Sequence, residues 1–190
     1  MRLSSGRTLR VVGFDDAPFA HKRGARVHLA GVVCSGTRFE GLVWGHVRRD
    51  GWTATDEICR LLLGGKFHAQ LHLVLLDGLT FGGFNVVDLK ALSERLGRPC
   101  VAVMRHRPDL AAIEHVLRRL PRPEKRLELL ARAGPVHEHA PFVFQVQGAE
   151  PEEVAFALRK LTDRGNVPEA LRLAHLVGSA VMRGESGKRA

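Results

Sequence analysis

Three aspartates stand where short apolar runs end. Asp15 and Asp16 close the run LRVVGFDD, and Asp77 closes LHLVLLDG, directly before Gly78. Carboxylates are costly to hold against apolar strands unless they are paired or bound to a cation. If the two runs are neighbouring strands of one sheet, their terminal acids repel each other and a cation between them relieves the repulsion. Hard carboxylate oxygens select Mg²⁺ or Mn²⁺ rather than zinc. In a basic chain such a site suits metal-assisted phosphodiester hydrolysis. The competing reading is turn capping, because aspartate is common where strands end. The loop that follows, LDGLTFGGFN, carries Gly78, Gly82 and Gly83 and little charge. Its backbone can approach a ligand closely, and its N–H groups can face a phosphate at the start of a helix after Asn85. Thr80, Phe81 and Asn85 join the three glycines as candidate substrate contacts. A tight structural turn is the plainer alternative. No GK[ST] ending and no GxGxxG spacing occurs, so neither a P-loop nor a dinucleotide fingerprint is expected.

A sheet is needed to bring these groups together. Residues 9–16, 27–36 and 39–51 are apolar, β-rich runs, the last two separated by a glycine-containing turn, and they read as a strand followed by a hairpin. Residues 53–65 read as a helix, with Thr53 or Thr55 as its cap, Asp56 and Glu57 in its first turn and Gly64–Gly65 as its stop. Residues 71–78 and 99–105 are buried strands, and residues 85–97 and 108–120 are helices, the second opening at Pro108. The order β-β-β-α-β-α-β-α predicts a ribonuclease H-like α/β fold. This is a mixed sheet of three antiparallel strands followed by alternating α and β, with helices on both faces. A right-handed crossover then sets the strand ending at Asp77 beside the strand ending at Asp15. A doubly wound Rossmann sheet would not open with three consecutive strands. FVFQVQG reads as one more edge strand, and residues 151–165 and 167–182 as two helices.

The chain has 190 residues, 45% of them hydrophobic, which suffices for one domain over residues 1–190 with a C-terminal helical extension from about residue 151. The net charge is +9, which favours polyanionic partners, nucleic acid first. A high arginine content without function is the alternative. Cys34, Cys59 and Cys100 lie far apart with no CxxC pair, so buried, reduced thiols are expected rather than a zinc site. His137 and His139 form the one tight histidine pair, in the loop-like run GPVHEHAP. No run is long and apolar enough to span a bilayer, and the N-terminus lacks the pattern of a signal peptide. A soluble, cytoplasmic protein without a membrane partner is the expectation, and the sequence leaves its oligomeric state open.

The segments GFDDAPF, LLDGLTFGGFNVVDL, PCVAVMRHRPDL and NVPEALRLAHLVGSAVMRGES resemble an uncharacterised-domain family, the ninety-ninth of its series. That family is mostly archaeal and is associated with deoxyuridine endonuclease activity. It in turn resembles endonuclease V, the repair nuclease for deaminated purines. The resemblance covers nearly the whole chain, and the DGLTFGGFN run is its most specific part. It implies a metal-dependent endonuclease cutting DNA, with RNA as an alternative, near a deaminated base. Asp15 and Asp77 match the metal-binding aspartates, with Asp16 beside them. Arg105 falls where endonuclease V has a lysine, and a guanidinium there can hold a phosphate as a fork. VPEALRLAH matches the late motif, which adds His175 as an outer metal or water contact and Arg172 as a substrate contact. The third acidic ligand of endonuclease V, a glutamate, has no direct counterpart. Asp50, Asp56 and Glu57 are its possible substitutes, with Asp56 carried as the metal ligand. The tyrosine-containing wedge of endonuclease V is also missing. Trp44, Trp52, Phe81 and Phe84 are the aromatics left to stack on a flipped base, or to fill the core. The rival reading is a non-catalytic nucleic-acid-binding module on a degenerate nuclease fold.

Overall fold

The computed structural model describes residues 3, 8–22 and 24–187. The three opening strands are β1 (Arg10–Asp16), β2 (Arg26–Ser35) and β3 (Arg38–Arg48), followed by helix α1 (Ala54–Leu62). Strand β4 (Leu73–Asp77) leads into a small hairpin of β5 (Thr80–Phe81) and β6 (Asn85–Val86), then α2 (Leu89–Leu96) and β7 (Cys100–Met104). Helices α3 (Leu110–Leu117) and α4 (Pro123–Arg132) precede β8 (His137–His139), β9 (Phe142–Gln147), α5 (Pro151–Lys160) and α6 (Glu169–Arg183).

Seven strands form one mixed sheet in the order β3-β2-β1-β4-β7-β9-β8. β1 runs antiparallel to β2 and parallel to β4, and β4 runs parallel to β7. This is the ribonuclease H-like arrangement expected from the element order. β4 and β7 are covered on both faces, which is why they read as unbroken apolar runs rather than alternating ones. The period-2 alternation of strand side chains divides the core into two halves. Val11, Leu73, Leu75, Val101 and Val103 face α5 and α6, while Val12, Phe14, Val74, Leu76 and Ala102 face α1 and α2. Among the described residues, no helix is long and apolar enough to cross a membrane. The three cysteines are buried and free, as expected.

Several elements differ from the sequence reading. α2 begins at Leu89, where the Asp88 carboxylate accepts the Ala91 amide at 3.0 Å; Asn85 and Val86 pair with Thr80 and Phe81 instead of opening the helix. Pro108 lies outside α3, which is capped by Asp109 accepting the Ala112 amide at 3.0 Å. α4 has no counterpart in that reading. The HEH run is strand β8 rather than loop, and both its histidines pack on Phe144. β9 is an interior strand between β7 and β8, not an edge. α5 and α6, expected as an extension, form the layer over one face of the sheet, with α6 crossing β1 and β2.

Gly13 allows α6 its close approach. A Cβ at this position would lie 2.7 Å from the backbone of Ala170 and of Leu171. Backbone cannot give way as a flexible side chain can, so Gly13→Ala must push α6 off the sheet. The expected cost is about 1–3 kcal/mol, read as a lower urea midpoint at unchanged slope. An unchanged midpoint would show that α6 does not depend on this contact.

Candidate active site

In the parallel pairing of β1 with β4, Gly13 lies beside Leu75 and Phe14 beside Leu76. The next step along both strands sets Asp15 beside Asp77 at the C-terminal edge of the sheet. Alternation turns these two carboxylates to the α6 face and Asp16 to the opposite face. α6 runs across β1 with Ala170 over Gly13 and Gly178 over Ala17. Between these contacts, His175 meets Asp15, its Nδ1 lying 2.9 Å from Oδ2. The Asp16 amide donates to the other Asp15 oxygen at 2.7 Å, so both oxygens of a carboxylate only 6% exposed are held. The Asp16 carboxylate accepts the Gly82 amide at 2.5 Å. Arg105, beyond the end of β7, brings Nη2 to 3.9 Å from the Asp77 carboxylate and is half exposed.

The electrostatics of this edge are strained. Burial, followed by the charge of Asp15, pushes Asp77 up to about 6, against the partial relief of Arg105 and His175. Burial likewise pushes Asp16 to about 6, with the charges of Asp15 and Asp77 adding to it and the Gly82 hydrogen bond opposing it. The hydrogen bond to Asp15 raises His175 above its ordinary range, which favours a protonated ring donating from Nδ1. Uncompensated hard oxygens of this kind fit a divalent cation. No group of three or more histidine, cysteine or acidic side chains gathers into a closed cage among the described residues. Mg²⁺ does not require one, because it is commonly held by one or two carboxylates together with phosphate oxygens and water.

None of the three substitutes joins the pair as a third acid. Asp56 is a correction to the expected ligand set. It points outward from α1 with 69% of its side chain exposed and is paired with Arg95 of α2 at 2.6 Å. Glu57 accepts the His46 amide and is paired with Arg60. Asp50 accepts the Phe84 amide at 3.0 Å and holds the glycine loop.

That loop also departs from expectation. Three of its amides do not stand open for a phosphate: Gly78 donates to the Val103 carbonyl at 2.8 Å, Gly82 to Asp16, and Phe84 to Asp50. Gly83 has a positive φ of 84°, and a Cβ there would come within 2.5 Å of the Asp50 carboxylate, so glycine is required by both backbone and space. Phe81 is fully buried in the core and cannot stack on a base. Asn85 is also fully buried; it accepts the Ala54 amide and donates to the Arg48 carbonyl, which makes it a staple between loops rather than a substrate contact. Arg172 is paired with Glu169 through both ends of its guanidinium, at 2.6 and 2.8 Å. Thr80 and Phe84 border a cavity of about 230 Å³ closed by Met104, Ile113, Leu130 and Gln145. Trp44 stacks on His28, and Trp52 lies under the Arg126 guanidinium at 4.0 Å.

Arg126 escapes the sequence reading. It is a completely buried arginine on α4, donating to the carbonyls of Asp50, Gly51 and Phe84, and so ties the turn after β3 to the glycine loop. A signal is present: Arg126 shares its helix face with Leu129, Leu130 and Ala133, at the i+3, i+4 and i+7 positions. A cation on an apolar stripe marks a partner inside the protein.

Comparison with known proteins agrees with this fold. A family model described as endonuclease dU matches residues 7–182. A UPF0215 protein of Pyrococcus furiosus is 42% identical over 187 residues, covering 96% of each chain. One from Deinococcus radiodurans is 40% identical over 181 residues, covering 95% of this chain and 92% of the other. A crystal structure of a protein of unknown function from Archaeoglobus fulgidus superposes with a TM-score of 0.87 at 32% identity, over 93% of this chain and 99% of that one. Endonuclease V of Ciona intestinalis, in complex with a DNA containing an inosine followed by a ribo-adenosine, superposes with a TM-score of 0.57 at 15% identity, over 90% and 84% of the two chains.

Proposed function

The chain belongs to the endonuclease dU family, and on that premise we propose that it is a metal-dependent DNA repair endonuclease hydrolysing a phosphodiester near a deaminated base, deoxyuridine first. The observation that carries this reading is the pairing of Asp15 with Asp77 at one sheet edge, with Asp77 raised to about 6 by burial and by the charge of Asp15. Asp15 and Asp77 would hold Mg²⁺ or Mn²⁺, which supplies Lewis-acid stabilisation of charge at the reacting phosphate. His175 acts first as a positioning residue, fixing the Asp15 carboxylate through Nδ1. Asp16 fixes the glycine loop behind the site. Arg105, half exposed beside Asp77, is free enough to turn its fork onto a phosphate oxygen. The 230 Å³ cavity beneath the glycine loop is of a size to accept one extruded base, with Phe84 as an apolar wall and Thr80 and Gln145 as polar contacts.

A second reading, a nucleic-acid-binding module without catalysis, draws on the missing third acid. A nicking assay on duplexes carrying a single uracil or a single inosine, with Mg²⁺ or Mn²⁺, separates the two. Cleavage of the uracil duplex is expected. Binding without cleavage of any of these duplexes would sink the enzyme and leave the module.

A further inference from the structure

The edge that carries Asp15 and Asp77 also holds a cationic recess. β1 and β3 both run antiparallel to β2, so both end at this edge. The turn after β3, the loop after β1 and the turn between α3 and α4 enclose a cleft of about 690 Å³. Its lining includes His21, Arg48, Arg49, Trp52, Arg119 and Arg126. Its one carboxylate, Asp50, is engaged by the Phe84 amide at 3.0 Å and by Arg49 at 3.4 Å. Arg126 is spent on backbone carbonyls and Arg49 on Asp50, which leaves Arg48 and Arg119 as exposed guanidinium groups beside a single committed acid. The recess is positive where the neighbouring edge site is negative.

We infer that this cleft is a second substrate subsite, which binds the phosphate backbone of the nucleic acid away from the bond that is cut. Guanidinium forks match phosphate oxygens, and the indole of Trp52 lies among them as an apolar surface for a sugar or base. Two strand spacings separate β1 from β3, roughly 10 Å. The phosphate held here is therefore within a few nucleotides of the one at the acids. The subsite is also linked to the site it serves. Asp50 donates its amide to the Gly82 carbonyl at 2.9 Å, and the Gly82 amide is bound by Asp16 at 2.5 Å. A strand seated in the cleft therefore bears on the loop that is bound to Asp16, the neighbour of Asp15. The inference rests on the nuclease reading for the identity of the strand, but backbone binding is measurable without cleavage.

The test is fluorescence anisotropy of the full chain with labelled uracil-containing duplexes in EDTA, so that nothing is cut. Arg48→Ala combined with Arg119→Ala removes two exposed cleft cations; Arg164→Ala, at the far end of the sheet, is the control. The double variant should bind full-length duplex about 10- to 100-fold more weakly, and its salt slope should fall by about 2. Arg48→Lys with Arg119→Lys should restore the slope. Trimming the duplex to less than a few nucleotides on one side of the uracil should weaken the unaltered protein equally and leave the double variant unaffected. Equal losses by the double variant on long and short duplexes, or a salt slope no different from that of Arg164→Ala, would overturn the proposal. So would competition by inorganic phosphate or a mononucleotide as effective as the oligonucleotide, which would make the cleft a small-anion site. A chain that binds in this way but never cuts would sink the nuclease reading and leave the subsite standing.

Discussion

Asp77→Asn is expected to abolish cleavage while making the metal-free protein more stable. The two effects share one cause. Asp77 is raised from 3.8 to about 6 because it is buried beside Asp15. Each unit of such a shift corresponds to about 1.4 kcal/mol against the ionised form. Because 27% of the side chain remains exposed and solvent screens the rest, a gain of about 1–2 kcal/mol is expected at neutral pH. Asparagine keeps the shape and removes the charge. It also removes half of the cation's protein ligands, and with them several kcal/mol of transition-state stabilisation, so nicking should fall by about 10³-fold or more. Asp15→Asn should lose cleavage equally but gain no stability, because it gives up the charge-assisted bond to His175 at 2.9 Å. Thermal melts in EDTA beside nicking rates read both quantities. An Asp77→Asn protein that melts lower than the parent would mean the carboxylate is a structural partner. One that still cuts would mean the metal is held elsewhere.

The pH dependence of stability should carry the same signature. Asp16 and Asp77 both sit near 6 in the folded protein against 3.8 ordinarily, so the fold takes up protons between those values. Their contribution is fully present below about 4 and is lost as the pH rises through about 6. His175, raised above its ordinary 6.5 by Asp15, acts with the same sign: its contribution is present below 6.5 and lost as the pH passes its raised value. All three make the metal-free protein more stable near pH 5 than near pH 8, by roughly 2–4 kcal/mol in sum after screening. Saturating Mg²⁺ or Mn²⁺ binds the ionised carboxylates and should lift the melting temperature most at the alkaline end, flattening the profile. A metal-free melting curve that does not move across this range would show that the acids titrate as ordinary surface carboxylates and are not poised for a cation.

The same cost of burying charge makes the acidic pair legible in the amino-acid sequence. An acid ending an apolar run is an expensive choice, and two of them, Asp15 and Asp77, stand out against runs of valine and leucine. The order of three strands followed by alternating helix and strand allows few sheets, and the observed order β3-β2-β1-β4-β7 is one of them. His175 is reached through its motif, and α6 sets it 2.9 Å from Asp15. The backbone contact at Gly13 that makes this possible is invisible in sequence, because a glycine in a strand looks the same whether a helix or water lies above it.

Sequence does not reveal which way a side chain turns once its element is packed. Asp50, Asp56 and Glu57 are near neighbours along the chain, yet one braces a loop, one faces solvent and one caps a strand amide. The glycine loop reads as a phosphate cradle, but three of its amides are claimed by Asp16, Asp50 and the Val103 carbonyl. Burial makes that exchange obligatory, since amides removed from water must find acceptors within the protein. By itself, the sequence determined the order of the strands from β3 to β7, the acids that end β1 and β4, and the basic character, because apolar periodicity, strand-end acids and net charge are local or additive properties. Whether a third carboxylate joins them, which donors stay open and where the excess arginines gather was decided by tertiary structure alone. Those features depend on the packing of α4 and α6 against the sheet, and no local pattern encodes it.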